Sequence, residues 1–109
     1  MVDRLLKLDN IFLSLADPTR RDILRRISES ELSVRDIARH YKLTYAAVSK
    51  HLKVLEKSTL VTKRRRGKEQ LVSLSPQAFL DATEYLDWYK PFWTQKFDSL
   101  EAYLKERTP

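Results

Sequence analysis

The sequence predicts a mainly α-helical protein with one small β-hairpin, and three observations predict it. Apolar residues recur at helical spacing over most of the chain. Between residues 60 and 74 that period gives way to alternation. The segments are separated by capping residues and prolines, with glycine occurring once in 109 residues. This length suits one domain, 1–109, whose core is small enough that help from a second subunit is expected.

Taken in order, residues 3–15 carry Leu5, Leu8, Phe12 and Leu15 as the stripe of a first amphipathic helix. Asp17-Pro18 then supplies an N-cap followed by proline at the first helical position, where its fixed φ is favourable. That helix runs to about Ile27, with Ile23, Leu24 and Ile27 apolar and Arg20, Arg21, Arg25 and Arg26 opposite. Ser33-Val34-Arg35-Asp36 fits a capping box ahead of Val34, Ile37, Ala38 and Tyr41. Thr44 is the next N-cap and opens a helix to about Lys57, with Val48, Leu52 and Leu55 inward. Lys42 and Leu43 alone separate these two helices, and so short a joint makes them cross steeply, as in a helix-turn-helix.

Leu60–Arg64 and Gln70–Leu74 alternate as strands, and Gly67 stands where a hairpin tip requires positive φ. Ser75-Pro76 opens a last, long helix whose stripe is Phe79, Ala82, Leu86, Tyr89, Trp93, Phe97, Leu100 and Leu104, with a kink expected at Pro91. The result is a winged helix-turn-helix flanked by N- and C-terminal helices: a core of 17–74, its wing at 60–74, and outer helices in 1–16 and 75–109.

Charge follows this division. The formal net charge is +6, but residues 18–69 alone carry +9, against −1 for residues 1–17 and −2 for residues 70–109. A solvated surface usually mixes both signs, so the concentration of cations in the core reads as a polyanion-binding face. The absence of cysteine excludes disulfides, thiolate metal ligands, a catalytic thiol and a thiol redox switch. No apolar run reaches the roughly 20 residues of a membrane span, and the N-terminus lacks a signal peptide's pattern, so the cytoplasm is the expected compartment.

The expected polyanion is duplex DNA. A helix that reads the major groove needs an inward apolar stripe and short polar or basic groups outward. Residues 44–57 divide in that way. Thr44, Tyr45 and Ala46, in the first turn, are expected deepest among the bases, with Ser49, Lys50 and Lys53 on phosphates. For His51, phosphate contact and packing stand level. The surface-helix reading would hold for this segment alone, but Lys63, Arg64, Arg65, Arg66 and Lys68 add a cationic ribbon directly after it.

The segment Leu15-Ala16-Asp17-Pro18-Thr19-Arg20-Arg21-Asp22-Ile23-Leu24 resembles the opening helix pair of the ArsR/SmtB family of bacterial and archaeal repressors. Residues Thr44-Tyr45-Ala46-Ala47-Val48-Ser49-Lys50-His51-Leu52-Lys53-Val54-Leu55-Glu56 resemble that family's recognition helix, and the basic hairpin continues the likeness. It covers about residues 10–75 well and the last helix loosely. The resemblance implies a homodimer built from the first and last helices, reading a palindromic operator and releasing it when a ligand binds. The wide apolar face around Trp88, Phe92 and Trp93 points independently to a second copy. Leu5, Leu8, Phe12, Trp88, Phe92, Trp93, Phe97 and Leu100 are the expected interface.

Metal sensing is not expected. Where metal-responsive members carry a Cys-x-Cys motif, this chain has Glu31–Asp36 without a thiol, and residues 69–109 contain no histidine. No cofactor is expected either. A small apolar or aromatic inducer could enter near Trp88, Phe92 and Trp93, although aromatics in such a stripe are more often core. Three other readings rank lower: a DNA-binding or protein-interaction module without ligand control, an RNA-binding winged helix, and an enzyme. The strands offer no aromatic platform for RNA bases, and no phosphate loop or His–carboxylate constellation is visible.

Overall fold

The computed structural model describes the backbone of residues 2–107 and the side chains of residues 6–107. The elements follow in the order α1 (Val2–Leu15), α2 (Pro18–Glu29), β1 (Leu32–Ser33), α3 (Val34–Tyr41), α4 (Tyr45–Lys57), β2 (Val61–Arg66), β3 (Glu69–Leu74), α5 (Pro76–Asp87) and α6 (Lys90–Arg107). This is a winged helix-turn-helix flanked by outer helices, as the sequence predicts.

One apolar core joins the elements. Ile23, Leu24 and Ile27 of α2, Val34, Ile37 and Ala38 of α3, and Val48, Leu52 and Leu55 of α4 are buried together. Leu60, Val61 and Val72 close the core from the sheet, and Ala78 and Ala82 close it from α5. The caps form as their residue types dictate. Asp17 accepts the Arg20 amide at 2.9 Å, and Ser33 accepts the Asp36 amide at 3.1 Å.

Three expectations are corrected. Among the described residues of α1 the buried ones are Ile11 and Ser14, with Leu15 packed at the core margin, so the inward face is rotated from the expected Leu8–Phe12 line. Leu8 is half-buried, Phe12 lies at the rim with its ring edge on Tyr85, and the side chain of Leu5 is outside the described residues. The rotation suits the neighbours: Ser14 bonds to α4, which an outward Ser14 would not reach.

The hairpin is part of a three-stranded antiparallel sheet in the order β1-β3-β2. Leu32 pairs with Val72 and Ser33 with Leu71. A two-residue strand is too short to show a period, and its serine serves also as the cap of α3. The wing strands themselves are longer than expected and pair from Val61↔Leu74 to Arg66↔Glu69, which leaves Gly67 and Lys68 as the turn. Gly67 has φ +61, the positive value foreseen for the tip.

The last helix is two helices. Proline at position 91 has no N–H for the carbonyl of Asp87 and its ring collides with that carbonyl, so α5 ends there. Trp88 and Tyr89 form the turn, their amides donating hydrogen bonds to the Tyr85 and Leu86 carbonyls, and α6 restarts at Lys90 with the proline in its first turn. Phe79 and Ala82 pack inward from α5, whereas α6 has no buried residue and projects from a molecule measuring 64 × 39 × 20 Å.

Candidate nucleic-acid interface

The joint between α3 and α4 is a tight left-handed cap. Lys42 has φ 54, its amide reaches the Arg39 carbonyl at 3.4 Å, and the Leu43 amide reaches that of Ala38 at 3.1 Å. Thr44 then accepts the Ala47 amide at 3.1 Å and starts α4. With Val48, Leu52 and Leu55 wholly buried, the orientation of α4 is fixed. Thr44, Tyr45, Ala46, Lys50 and Lys53 are exposed along its outer side, and Ser49 is half-exposed beside them. These residues form one polar and cationic strip.

His51 lies apart from that strip. It is partly buried against the start of α2, its Nδ1 3.9 Å from the Asp17 carboxylate. That placement fits the packing role better than the phosphate role.

A polar lock steadies the helix pair. The Tyr41 hydroxyl donates to Asp22, whose carboxylate also accepts Arg26 Nε at 3.1 Å, and Arg26 Nε lies 3.2 Å from the Tyr41 oxygen. The tyrosine hydroxyl, followed by the arginine, holds the Asp22 carboxyl below its ordinary value. Burial, followed by the bond to Asp22, pushes the Tyr41 phenol up to about 12. The C-terminus of α3 is thereby tied to α2.

The wing's five cations are not equivalent. Arg64 makes a bidentate pair with Glu31, Nε–Oε2 at 3.0 Å and Nη2–Oε1 at 2.6 Å. Lys63 Nζ lies 3.3 Å from Glu56 of α4. Arg65, Arg66 and Lys68 are exposed near the tip, and Arg65 donates to the Gly67 carbonyl at 3.3 Å.

Between the wing and the helix pair runs a cleft of about 220 Å³, lined by Ser33, Val34, Arg35, Tyr45, Lys68, Glu69 and Gln70. It brings Arg35, at the start of α3, together with Tyr45 and Lys68.

Arg35, Glu31 and Glu56 are not among the site residues that the sequence points to. Arg35 was legible as a cation beside a cap, but its facing the wing depends on the fold. Glu31 and Arg64 lie 33 residues apart in sequence, and no local pattern links them. Two arginines of α2 serve the scaffold instead. Arg20 donates to the Ser14 and Leu13 carbonyls at 2.9 and 3.0 Å, and Arg21 to that of Leu15 at 2.7 Å. They close the open end of α1, as basic groups do at helix C-termini.

Most of the expected interface residues lie outside the core. Trp88 is 76% exposed and Phe97 64%, with Phe92, Trp93, Leu100 and Leu104 also exposed along α5–α6. Leu6 and Leu13 of α1, which the sequence did not mark, are exposed as well. Among the described residues, no group of three or more His, Cys, Asp or Glu is gathered as metal ligands. No helix among them is long and apolar enough to cross a membrane.

A tight helix-turn-helix with a cationic strip, beside a basic wing, defines a winged helix-turn-helix DNA-binding protein. Residues 17–63 match the family described as bacterial regulatory protein, arsR family. An HTH-type transcriptional regulator of Mycobacterium tuberculosis is 37% identical over 87 residues, covering 80% of this chain and 78% of that protein. The transcriptional repressor SdpR of Bacillus subtilis is 28% identical over 79 residues, covering 72% and 88%. A solved homodimeric winged helix-turn-helix DNA-binding domain from Mycobacterium bovis superposes with a TM-score of 0.65 at 24% identity, covering 81% and 83%. The chain belongs to the ArsR family of bacterial transcriptional regulators.

Proposed function

We propose that the protein is a cytoplasmic homodimeric repressor whose two α4 helices read the half-sites of a palindromic operator. The observation that carries this reading is the strip on α4: its apolar side is locked in the core, while Thr44, Tyr45, Ala46, Ser49, Lys50 and Lys53 lie together on the outer side. In this arrangement the first turn of α4 meets base edges, and Lys50 and Lys53 hold phosphates. The wing grips the flanking backbone through Arg65, Arg66 and Lys68. Arg35 joins them from across the cleft, a position that suits the strand passing between reading helix and wing.

Dimerisation through the outer helices, 1–16 and 75–109, is supported by the exposed apolar faces of α1 and α6, which a lone subunit would leave in water. The homodimeric state of the M. bovis domain and the repressor activity of SdpR favour the same reading. If a small molecule relieves repression, the exposed Trp88, Phe92 and Trp93 suit an apolar or aromatic one.

Selection from a random duplex pool at physiological salt tests the proposal. The expected product is a palindrome with half-sites about one helical turn, ~34 Å, apart. It should be bound roughly 10³-fold or more tighter than random duplex. Salt-sensitive binding with no recovered motif would favour a DNA-binding module without sequence preference.

A further inference from the structure

We propose that Glu31 and Glu56 are positioning residues that set the wing: they hold Arg64 and Lys63 away from DNA and leave Arg65, Arg66 and Lys68 as its contacting tip. The proposal rests on the DNA-binding reading above and gives the cations at the base of the wing a different role from those at its tip.

Alternation along β2 sends Lys63 and Arg64 to opposite faces of the ribbon. Lys63 meets Glu56 of α4 on one face, and Arg64 meets Glu31, the residue before β1, on the other. The ribbon is therefore braced on both sides at its base. The two braces differ in kind. Lys63–Glu56 is a single contact at 3.3 Å, whereas Arg64–Glu31 is a two-bond fork at 2.6 and 3.0 Å, the geometry that gives a guanidinium–carboxylate pair orientation as well as attraction.

Exposed ion pairs contribute little to stability. Their effect here is on availability. A phosphate competing for Arg64 would have to strip both bonds from Glu31 and then sit beside the abandoned carboxylate. Arg64 is consequently neutral toward the duplex in net charge, although it is 58% exposed. Beyond the braces the strands continue for two more pairs, Arg65↔Gln70 and Arg66↔Glu69, and end at Gly67. Among the described residues the tip cations make no bonded pair with the core; Arg66 feels the Glu31 carboxylate only at longer range, behind the Arg64 fork.

The salt dependence of binding to a random-sequence duplex reads this division directly, because each phosphate contact contributes about 0.9 to the log–log slope, roughly threefold in affinity between ~50 and ~200 mM salt. Arg66→Ala should flatten the slope by about 1, and Arg64→Ala should leave it unchanged. Glu31→Gln should steepen it by about 1 by releasing Arg64, and that gain should vanish in the double variant Glu31→Gln/Arg64→Ala. Thermal unfolding of each variant confirms that all are folded at the temperature of binding.

A slope that falls equally for Arg64→Ala and Arg66→Ala overturns the proposal. So does a Glu31→Gln gain that survives in the double variant, since the carboxylate would then act by simple repulsion. Wild-type protein with no salt-sensitive duplex binding would instead overturn the DNA-binding reading itself.

Discussion

The Ser14 hydroxyl donates to the Val54 carbonyl at 3.3 Å, joining the first helix to the reading helix through the core. Ser14 is 1% exposed, and the same carbonyl also accepts the Ser58 amide at 3.2 Å. Removing the hydroxyl therefore loses a bond without orphaning its acceptor. Ser14→Ala is expected to lower unfolding stability by about 1 kcal/mol with the urea m-value unchanged. Equal midpoints for the two proteins would mean that this bond adds nothing net to the joint.

The end of α4 carries a strained residue. Thr59 has φ 60 while its amide bonds to Glu56 and the Leu60 amide to Leu55, each at 3.0 Å, the pattern usually completed by glycine. A β-branched side chain is disfavoured in that conformation by about 1 kcal/mol or more. Thr59→Gly removes this strain, against some added freedom of the unfolded chain and the loss of the hydroxyl bond to Ser58. A gain of about 0.5 kcal/mol is expected, seen as a melting temperature higher by a few degrees. Lys42→Gly should gain less, since lysine is unbranched. A lower melting temperature for Thr59→Gly would show that the threonine is not strained.

These two positions show where the sequence could and could not be read. Caps, the α4 stripe and the hairpin tip are local, and Asp17, Ser33, Thr44 and Gly67 each announce themselves by residue type. Helix ends in left-handed lysine and threonine do not, because propensity points elsewhere. The break before Lys90 was visible as Pro91, yet whether a proline kinks a helix or ends it depends on the surroundings. Strand β1 and the Glu31–Arg64 pair need β3 and β2 brought beside residues 31–33, and that is a property of the fold alone. Which side of α4 faces outward was legible for the opposite reason: its inward partners Val48, Leu52 and Leu55 repeat along a single helix.

Acid should destabilise the protein through identifiable carboxylates. Hydrogen bonds from the Arg20 amide to Asp17, from Tyr41 to Asp22 and from Arg64 to Glu31 hold all three carboxyls below their ordinary values. Their folded values are depressed, so their contribution is present above about pH 4.5 and is lost as pH falls through the folded values. Asp22→Asn should flatten the acid limb of the stability curve. An unaltered limb would assign it to other groups. On the alkaline side the sign reverses: the raised Tyr41 phenol favours folding below pH ~10 and ceases to do so as pH passes about 12. Phenol absorbance should show a component titrating near 12 that is missing in Tyr41→Phe, while the Tyr85 phenol, raised by its bond with Tyr89, stays late in both proteins.

The strip and the cleft should separate by what each change does to binding. Arg35→Ala and Lys50→Ala are expected to weaken all duplexes alike and flatten the salt slope by about 1 each, as lost phosphate contacts do. Tyr45→Ala should change which half-site is selected, because Tyr45 lies in the first turn of α4 and is 55% exposed. Repeating the pool selection with each variant decides between them. An altered motif for Arg35→Ala, or an unaltered one for Tyr45→Ala, would move the base-reading group to the cleft.

The outer helices carry the remaining prediction. Phe97 is 64% exposed in the single chain, at the centre of a stripe with Trp93, Leu100 and Leu104. A charge there has little to disturb within one subunit, but in a dimer it would be buried against apolar side chains, where an unpaired carboxylate is strongly disfavoured. Phe97→Asp is therefore expected to sediment as a monomer at concentrations where the wild type is a dimer, with its helical content retained. Its two reading heads would then no longer be linked, and affinity for the full palindrome should fall by about 10² or more, toward that of one half-site. Because α1 is joined to α4 through Ser14, the monomer should keep its α4 in place and still bind an isolated half-site as the wild-type head does. A Phe97→Asp protein that remained dimeric would move the subunit contact off α6.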